Sequence, residues 1–193
     1  MKPLPRRFYT RETLTVAEEL LGKQFVRHTN NTRLVGKIVE VEAYRGGDDP
    51  SSHAYRGMTP RNQLMFGKSG FAYVYFTYGM HHCFNVVTER QNVPGAVLIR
   101  ALEPLSGIET MRKSRGNKNV FNLTNGPAKL TEAMNITKKQ NGLDLTRSKE
   151  LFMSEPEVKE NFEVVSTKRI GIKVGVDKPW RFCIKDNKFA SRR

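Results

Sequence analysis

Val35-Gly36-Lys37-Ile38-Val39-Glu40-Val41-Glu42-Ala43-Tyr44 is the stretch on which the fold turns. Valines at 35, 39 and 41 alternate with other residue types, which predicts a strand. Side chains on a strand point alternately to its two faces. Ile38, Glu40, Glu42 and Tyr44 therefore share one face, and Lys37, Val39, Val41 and Ala43 share the other. The apolar face needs a core. The acidic face, two carboxylates and a phenol, meets either water or a cleft.

Upstream, residues 24–44 read as strand, polar turn at Asn30-Asn31, strand. Before them Thr15–Lys23 reads as a short helix, with Thr15 and Glu18 at capping-box spacing and Gly22 placed to end it. Downstream, residues 45–62 (RGGDDPSSHAYRGMTPRN) have no hydrophobic periodicity and read as a long loop, a length usually reserved for function or disorder. FAYVYFT and HHCFNVVTE then form a hairpin about Tyr78-Gly79-Met80. AVLIRALEPL reads as a central strand and SGIETMRKSR as a helix opened by a Ser106/Glu109 box. PAKLTEAMNI is a helix with Pro127 in its first turn. Two more strands close the chain, through VVSTKRIGIKVGV and PWRFCIK. Strands dominate without βαβ regularity, so the expected class is α+β, as one domain over residues 1–193.

The composition, 38% hydrophobic and 27% charged, is that of a globular protein, and no apolar run approaches a membrane span. The first residues have no apolar core like that of a signal peptide, so a cytoplasmic protein is expected. Cys83 and Cys183 stand far apart with no Cys-x-x-Cys pair, which predicts reduced, buried thiols. A formal net charge of +14 favours a polyanionic partner, nucleic acid first and an acidic membrane surface second. The basic residues are spread along the chain, as suits a phosphate-binding face on a folded domain.

Carboxylates repel a phosphate backbone, so Glu40 and Glu42 in so basic a chain need a task. One could activate water, or the pair could hold metal together with Asp48 and Asp49, as in a two-metal nuclease. The four histidines, His28, His53, His81 and His82, have no metal-ligand spacing, and His81 and His82 point to opposite faces of a strand. His53 stands alone in the glycine-rich loop. Three of the six tyrosines fall between residues 73 and 78. Tyr73 reads as packing and Tyr75 as a stacking wall for an extruded base. Tyr78, at the hairpin tip, reads equally as packing or as a wedge between base pairs.

Together VEVEAY, the loop DDPSSHAYRGMTPRN, MFGKSGFAYVYFTYGMHHCFNVV, AVLIRALEPLSGIETMR and NGPAKL resemble the alkyladenine (3-methyladenine) DNA glycosylases of mammalian type, over about residues 15–183. The resemblance implies a curved, mostly antiparallel sheet with surrounding helices, like the C-terminal domain of formyltransferases, and a protruding hairpin that inserts into DNA. It implies a monofunctional glycosylase that flips damaged purines out of duplex DNA and hydrolyses the N-glycosidic bond, leaving an abasic site. 3-Methyladenine and 7-methylguanine are the expected lesions, with hypoxanthine and ethenoadenine as further candidates.

Carried over by position, Glu42 is the general base and Arg100 the arginine near the flipped nucleotide's phosphate and the water. Tyr44 and His53 form one wall of the base pocket, Tyr75 stacks from the opposite side, and Asn85 discriminates against the exocyclic amine of guanine. Tyr78 fills the gap left by the flipped nucleotide, with Met80 beside it. The sequence departs from the vertebrate pattern at His81 and His82, and its loop between His53 and Thr59 is one residue shorter. No metal or organic cofactor is expected, no lysine matches a covalent imine, and a monomer on one continuous duplex face is the simpler expectation.

Overall fold

The computed structural model describes residues 1–29, 32–77 and 80–191. Eight strands among these residues form one antiparallel sheet: β1 (Gln24–Thr29), β2 (Thr32–Tyr44), β3 (Ala72–Thr77), β4 (His81–Val87), β5 (Ala96–Ser106), β6 (Leu151–Ser154), β7 (Val164–Thr167) and β8 (Arg181–Ile184). The strand order is β3-β4-β5-β2-β1-β6, with β8 attached to β2 and β7 to β8. The α+β class read from the sequence is the one observed. β6 went unread, and the strand expected through residues 164–176 stops at Thr167.

The stretch that opened the reading is the spine of the sheet. One edge of β2 runs along β5; the other pairs first with β1 and then, from Glu40 to Glu42, with β8. Register shifts let the strand serve all three neighbours. Ile38 faces Leu102, but Glu40 faces Ala101, so Val39 is an extra residue on β2; Val41 then faces Ile99, so Arg100 is an extra residue on β5. Such paired bulges bend and twist strands, which curls the sheet. They also correct the expected faces. Ile38 lies in the same core as Val39, Val41 and Ala43, because the bulge interrupts the two-residue alternation.

Four helices cover the sheet among the described residues: α1 (Arg6–Tyr9), α2 (Thr13–Leu20), α3 (Ile108–Ser114) and α4 (Pro127–Ala133). α2 buries Val16, Ala17 and Leu20, positions three to four apart on one face. Its cap is the Glu12 side chain, which accepts from the Thr15 backbone N–H, rather than Thr15. Nor does Ser106 cap α3. It still belongs to β5, and the helix starts from Gly107 at φ 75°, a conformation that favours glycine. Pro127 opens α4 as expected. In the core, fully buried Phe25 and Phe84 meet edge to face at 5.0 Å. Truncating either ring to Ala would cost about 3–5 kcal/mol.

No described helix is long and apolar enough to cross a membrane. Both cysteines are free and buried, as expected. The Asn30-Asn31 turn and the hairpin tip, Tyr78 and Gly79, lie outside the described residues. Tyr78 is therefore the one expected site residue without a described position. β3 and β4 pair up to Thr77 and His81, and Met80 beyond them is 72% exposed.

Candidate active site

The acidic face of β2 meets neither water nor metal-ligating acids but arginines. Glu40 and Glu42 are both fully buried. Glu40 Oε1 accepts from Arg100 Nε (2.8 Å), Arg181 Nε (2.7 Å) and the Ser191 hydroxyl (2.6 Å), while its Oε2 accepts from the Ser191 backbone N–H. Burial pushes this carboxyl up, but Arg100, Ser191 and Arg181 outweigh burial and hold it below its ordinary value. Glu40 is a locked anion.

Glu42 is held differently. Its Oε2 accepts from the Tyr44 hydroxyl (2.8 Å), its Oε1 accepts from the Ile170 backbone N–H (2.7 Å), and Arg100 Nη1 lies 3.3 Å from Oε1. A carboxylate oxygen has two lone pairs, so Oε2, engaged by Tyr44 alone, retains an acceptor position. Burial first, then the Glu42 charge, push the Tyr44 phenol well above its ordinary value, so it remains a neutral donor to Glu42.

Tyr44 and Arg100 open onto a cavity of about 370 Å³, which His53, Tyr73, Tyr75 and Asn85 also line. That volume is within the roughly 300–1,000 Å³ of small-molecule sites. Two of the lining rings touch. His53 lies against Tyr75, their ring centroids 4.6 Å apart and inclined at 64°, instead of facing it across a gap. A base between two rings needs about 7 Å, two van der Waals contacts. His53 and Tyr75 therefore leave no room for a base between them.

Tyr73 is buried in a small cluster with Ala54, Met65, Val87 and Ala96, as its packing role required. Its hydroxyl nevertheless reaches His53 Nδ1 at 2.8 Å. Much of His53 faces solvent, yet its ring is desolvated against the two tyrosines. That burial, followed by the nearby Arg61 charge, lowers the imidazole below its ordinary value. Arg61 itself sits over the Tyr75 ring, 5.4 Å from its centroid. Asn85 is buried on β4 and donates its amide N–H to the Tyr73 carbonyl (3.0 Å), which fixes the plane of the side chain at the cavity wall.

The long loop is ordered from beneath. Asp49, fully buried, accepts from the backbone N–H groups of Arg45 and Ser51 and forms a two-pronged ion pair with Arg169 (2.6 and 2.7 Å). Asn62 donates to the carbonyls of His53 and Gly57, which ties down the segment carrying the imidazole. The Arg169 guanidinium lies 4.6 Å from the Tyr44 ring centroid, and its chain neighbour Ile170 is the donor to Glu42. Asp49 is thus engaged by Arg169 and Glu40 by two arginines, while exposed Asp48 pairs with Arg45. Among the described residues no group of three His, Cys, Asp or Glu could hold a metal ion, so the acids do not assemble as a two-metal nuclease would need.

Residues 7–188 match the family model described as Methylpurine-DNA glycosylase (MPG). The chain belongs to the methylpurine-DNA glycosylase family. It is a DNA glycosylase, and DNA is its substrate. It is 52% identical over 190 residues to a protein of Carboxydothermus hydrogenoformans, covering 98% of this chain and 99% of that one. It is 49% identical to one of Alkaliphilus oremlandii and 47% identical to one of Chlorobium phaeobacteroides. The match with the Alkaliphilus protein covers 98% of this chain and 99% of that one, and with the Chlorobium protein 99% and 96%. All three carry the printed name "Putative 3-methyladenine DNA glycosylase". Glycosylase membership gives the basic composition a partner and the processing of alkylated bases in DNA repair a place in the chain's function.

For a methylpurine-DNA glycosylase, the residues that sequence reasoning missed are mostly those behind the first wall. Arg61, Arg169, Arg181 and Ser191 carry no role in the sequence reading, and Asp49, a candidate metal ligand there, is instead the buried partner of Arg169. One signal existed: Arg169 and Arg181 interrupt segments otherwise suited to strands, where a charge must find a buried partner or face water.

Proposed function

We propose that this glycosylase excises 3-methyladenine and 7-methylguanine from duplex DNA by flipping the nucleotide into the aromatic cavity and attacking its C1′ with a water activated by Glu42. Hypoxanthine and ethenoadenine are further substrates of the same pocket. The observation that carries this reading is the buried Glu42 carboxylate beside that cavity, oriented by Tyr44 and Ile170 and flanked by Arg100.

Alkylation at N3 or N7 makes the purine cationic, so the base departs neutral as the glycosidic electron pair moves onto it. The sugar develops oxocarbenium character. Water bonds to C1′ and its proton passes to Glu42, whose negative charge also stabilises the cationic sugar. Tyr44 keeps the carboxylate oriented without taking its charge. The electron-rich faces of Tyr44 and Tyr75 favour a cationic base by cation–π attraction, on the order of 1–2 kcal/mol when desolvated. Asn85, fixed by Tyr73, stands where a guanine amine would have to fit. Arg100 contacts the flipped nucleotide's phosphate and the water. Met80, exposed beyond the hairpin strands, leans on neighbouring bases while Tyr78 fills the vacated stack. The protein acts as a monomer and as one domain over its whole length.

The test is a duplex carrying one 3-methyladenine or hypoxanthine, incubated with protein in EDTA and then heated in alkali. Strand breakage at the lesion only after alkali is the expected result. Breakage before alkali that EDTA abolishes, or intact DNA over a panel of alkylated purines, overturns the reading. Glu42→Gln should bind the lesion duplex yet excise at least a hundredfold more slowly.

A further inference from the structure

Glu40 is the member of the acidic pair that excision leaves without a task, and its surroundings give it one. Three donors crowd its Oε1: Arg100 Nε, Arg181 Nε and the Ser191 hydroxyl. The Ser191 N–H holds Oε2, which stops the carboxylate from turning. Arg181 Nη2 in turn donates to the Ser191 carbonyl at 3.2 Å, closing a ring of Glu40, Ser191 and Arg181 around the stem of the Arg100 guanidinium. Arg100 Nη2 lies 3.5 Å from the Ser191 hydroxyl. With Nε on Glu40 and Nη2 beside Ser191, Nη1 is the guanidinium nitrogen turned toward Glu42, at 3.3 Å.

Arg100 needs this support because it is the extra residue of a bulge in β5, where the strand ladder does not fix it. Ser191 comes from the segment after β8, far from Arg100 in sequence, and is buried. A serine supplies both a hydroxyl donor and a backbone N–H from one position.

We propose that Ser191 and Glu40 are positioning residues that aim Arg100 at Glu42 and the flipped nucleotide, so that the segment following β8 governs the excision step. The inference rests on the glycosylase reading of Glu42 and Arg100. It assigns the last described residue of the chain to the efficiency of bond cleavage rather than to DNA affinity. Because the ring is closed around Glu40, the aim is set by two elements at once, and loss of either donor from Ser191 loosens it.

The test uses the full chain with Ser191→Pro, which removes both the N–H and the hydroxyl; Ser191→Ala, which removes the hydroxyl alone; and Ser191→Thr, which keeps both. Single-turnover excision rate and lesion-duplex Kd are measured separately, together with Tm. Expected are a fall of at least tenfold in rate for Ser191→Pro, about threefold to tenfold for Ser191→Ala, and recovery to within twofold for Ser191→Thr, with Kd changed less than threefold throughout. If Ser191→Pro does not fold, Ser191→Ala is judged by the same criteria. An unaltered rate in the variants overturns the inference, as does a fall in rate matched by an equal loss of affinity, or a Ser191→Thr no faster than Ser191→Ala. Failure of the unaltered protein to excise any lesion overturns the glycosylase reading as well; excision by the unaltered protein and the Ser191 variants alike overturns this inference alone.

Discussion

Tyr44 and Glu42 stand two residues apart on β2 and share a 2.8 Å hydrogen bond in which the phenol donates to the carboxylate. Residues i and i+2 of a strand share a face, so the contact follows from the backbone alone. Tyr44→Phe keeps the ring under Arg169 but leaves a buried carboxylate oxygen without its donor. The single-turnover excision rate should fall about tenfold, roughly 1.4 kcal/mol of barrier, while lesion-duplex Kd stays within threefold. An unchanged rate would show that the phenol serves the pocket wall only.

Arg169→Met should destabilise the protein strongly. Removing one partner of the buried pair strands Asp49 as an uncompensated charge, at a cost of about 3–5 kcal/mol. For a chain of this size that is a fall in Tm on the order of 10 °C, read by circular dichroism. Replacing both members, Asp49→Asn with Arg169→Met, should recover part of the loss; an additive double variant would deny the coupling.

Glu40 carries a pH signature. Its folded-state value is held below the ordinary 4.5, so its contribution to stability is present above pH 4.5 and is lost as pH falls through the lower folded value. Urea denaturation should show Glu40→Gln less stable than the unaltered protein at pH 7, with the gap narrowing in acid. A constant gap across that range would mean that the charge on Glu40 contributes nothing.

His53 should titrate below its ordinary value of 6.5, first because its ring is desolvated and second because Arg61 is near. Arg61→Ala removes only the second cause. Its NMR titration midpoint should therefore move up without reaching 6.5; no movement would separate Arg61 from the imidazole.

How much of this was legible in the sequence depends on distance along the chain. β2, the β3–β4 hairpin and β5 announce themselves through alternation and β-branched residues, which are local. The bulges at Val39 and Arg100 leave no such trace, and so Ile38 was assigned to the wrong face. Of the residues carried over by motif, Tyr44 and Asn85 line one cavity and Glu42 bonds to Tyr44. The contact of His53 with Tyr75 depends on how a long loop folds over β3, which no periodicity encodes. Arg169 meets Asp49, and Ser191 meets Glu40, across more than a hundred residues. Such pairings are set by the curled sheet and cannot be read from either neighbourhood.

The fork in β2 divides the molecule's tolerance to change. From Thr32 to Lys37 the strand leans on β1, and from Glu40 to Glu42 on β8, so one continuous backbone passes from scaffold to chemistry within a few residues. Substitutions at Val26 or Val35, in the small buried cluster with Phe152, should register as altered abundance or melting. Changes at Tyr44 or Ser191, which bond to Glu42 and Glu40 beyond the fork, should register as altered turnover in protein that still accumulates normally. A library of variants scored for both properties would separate along this strand, and the boundary between the two classes should fall at the bulge.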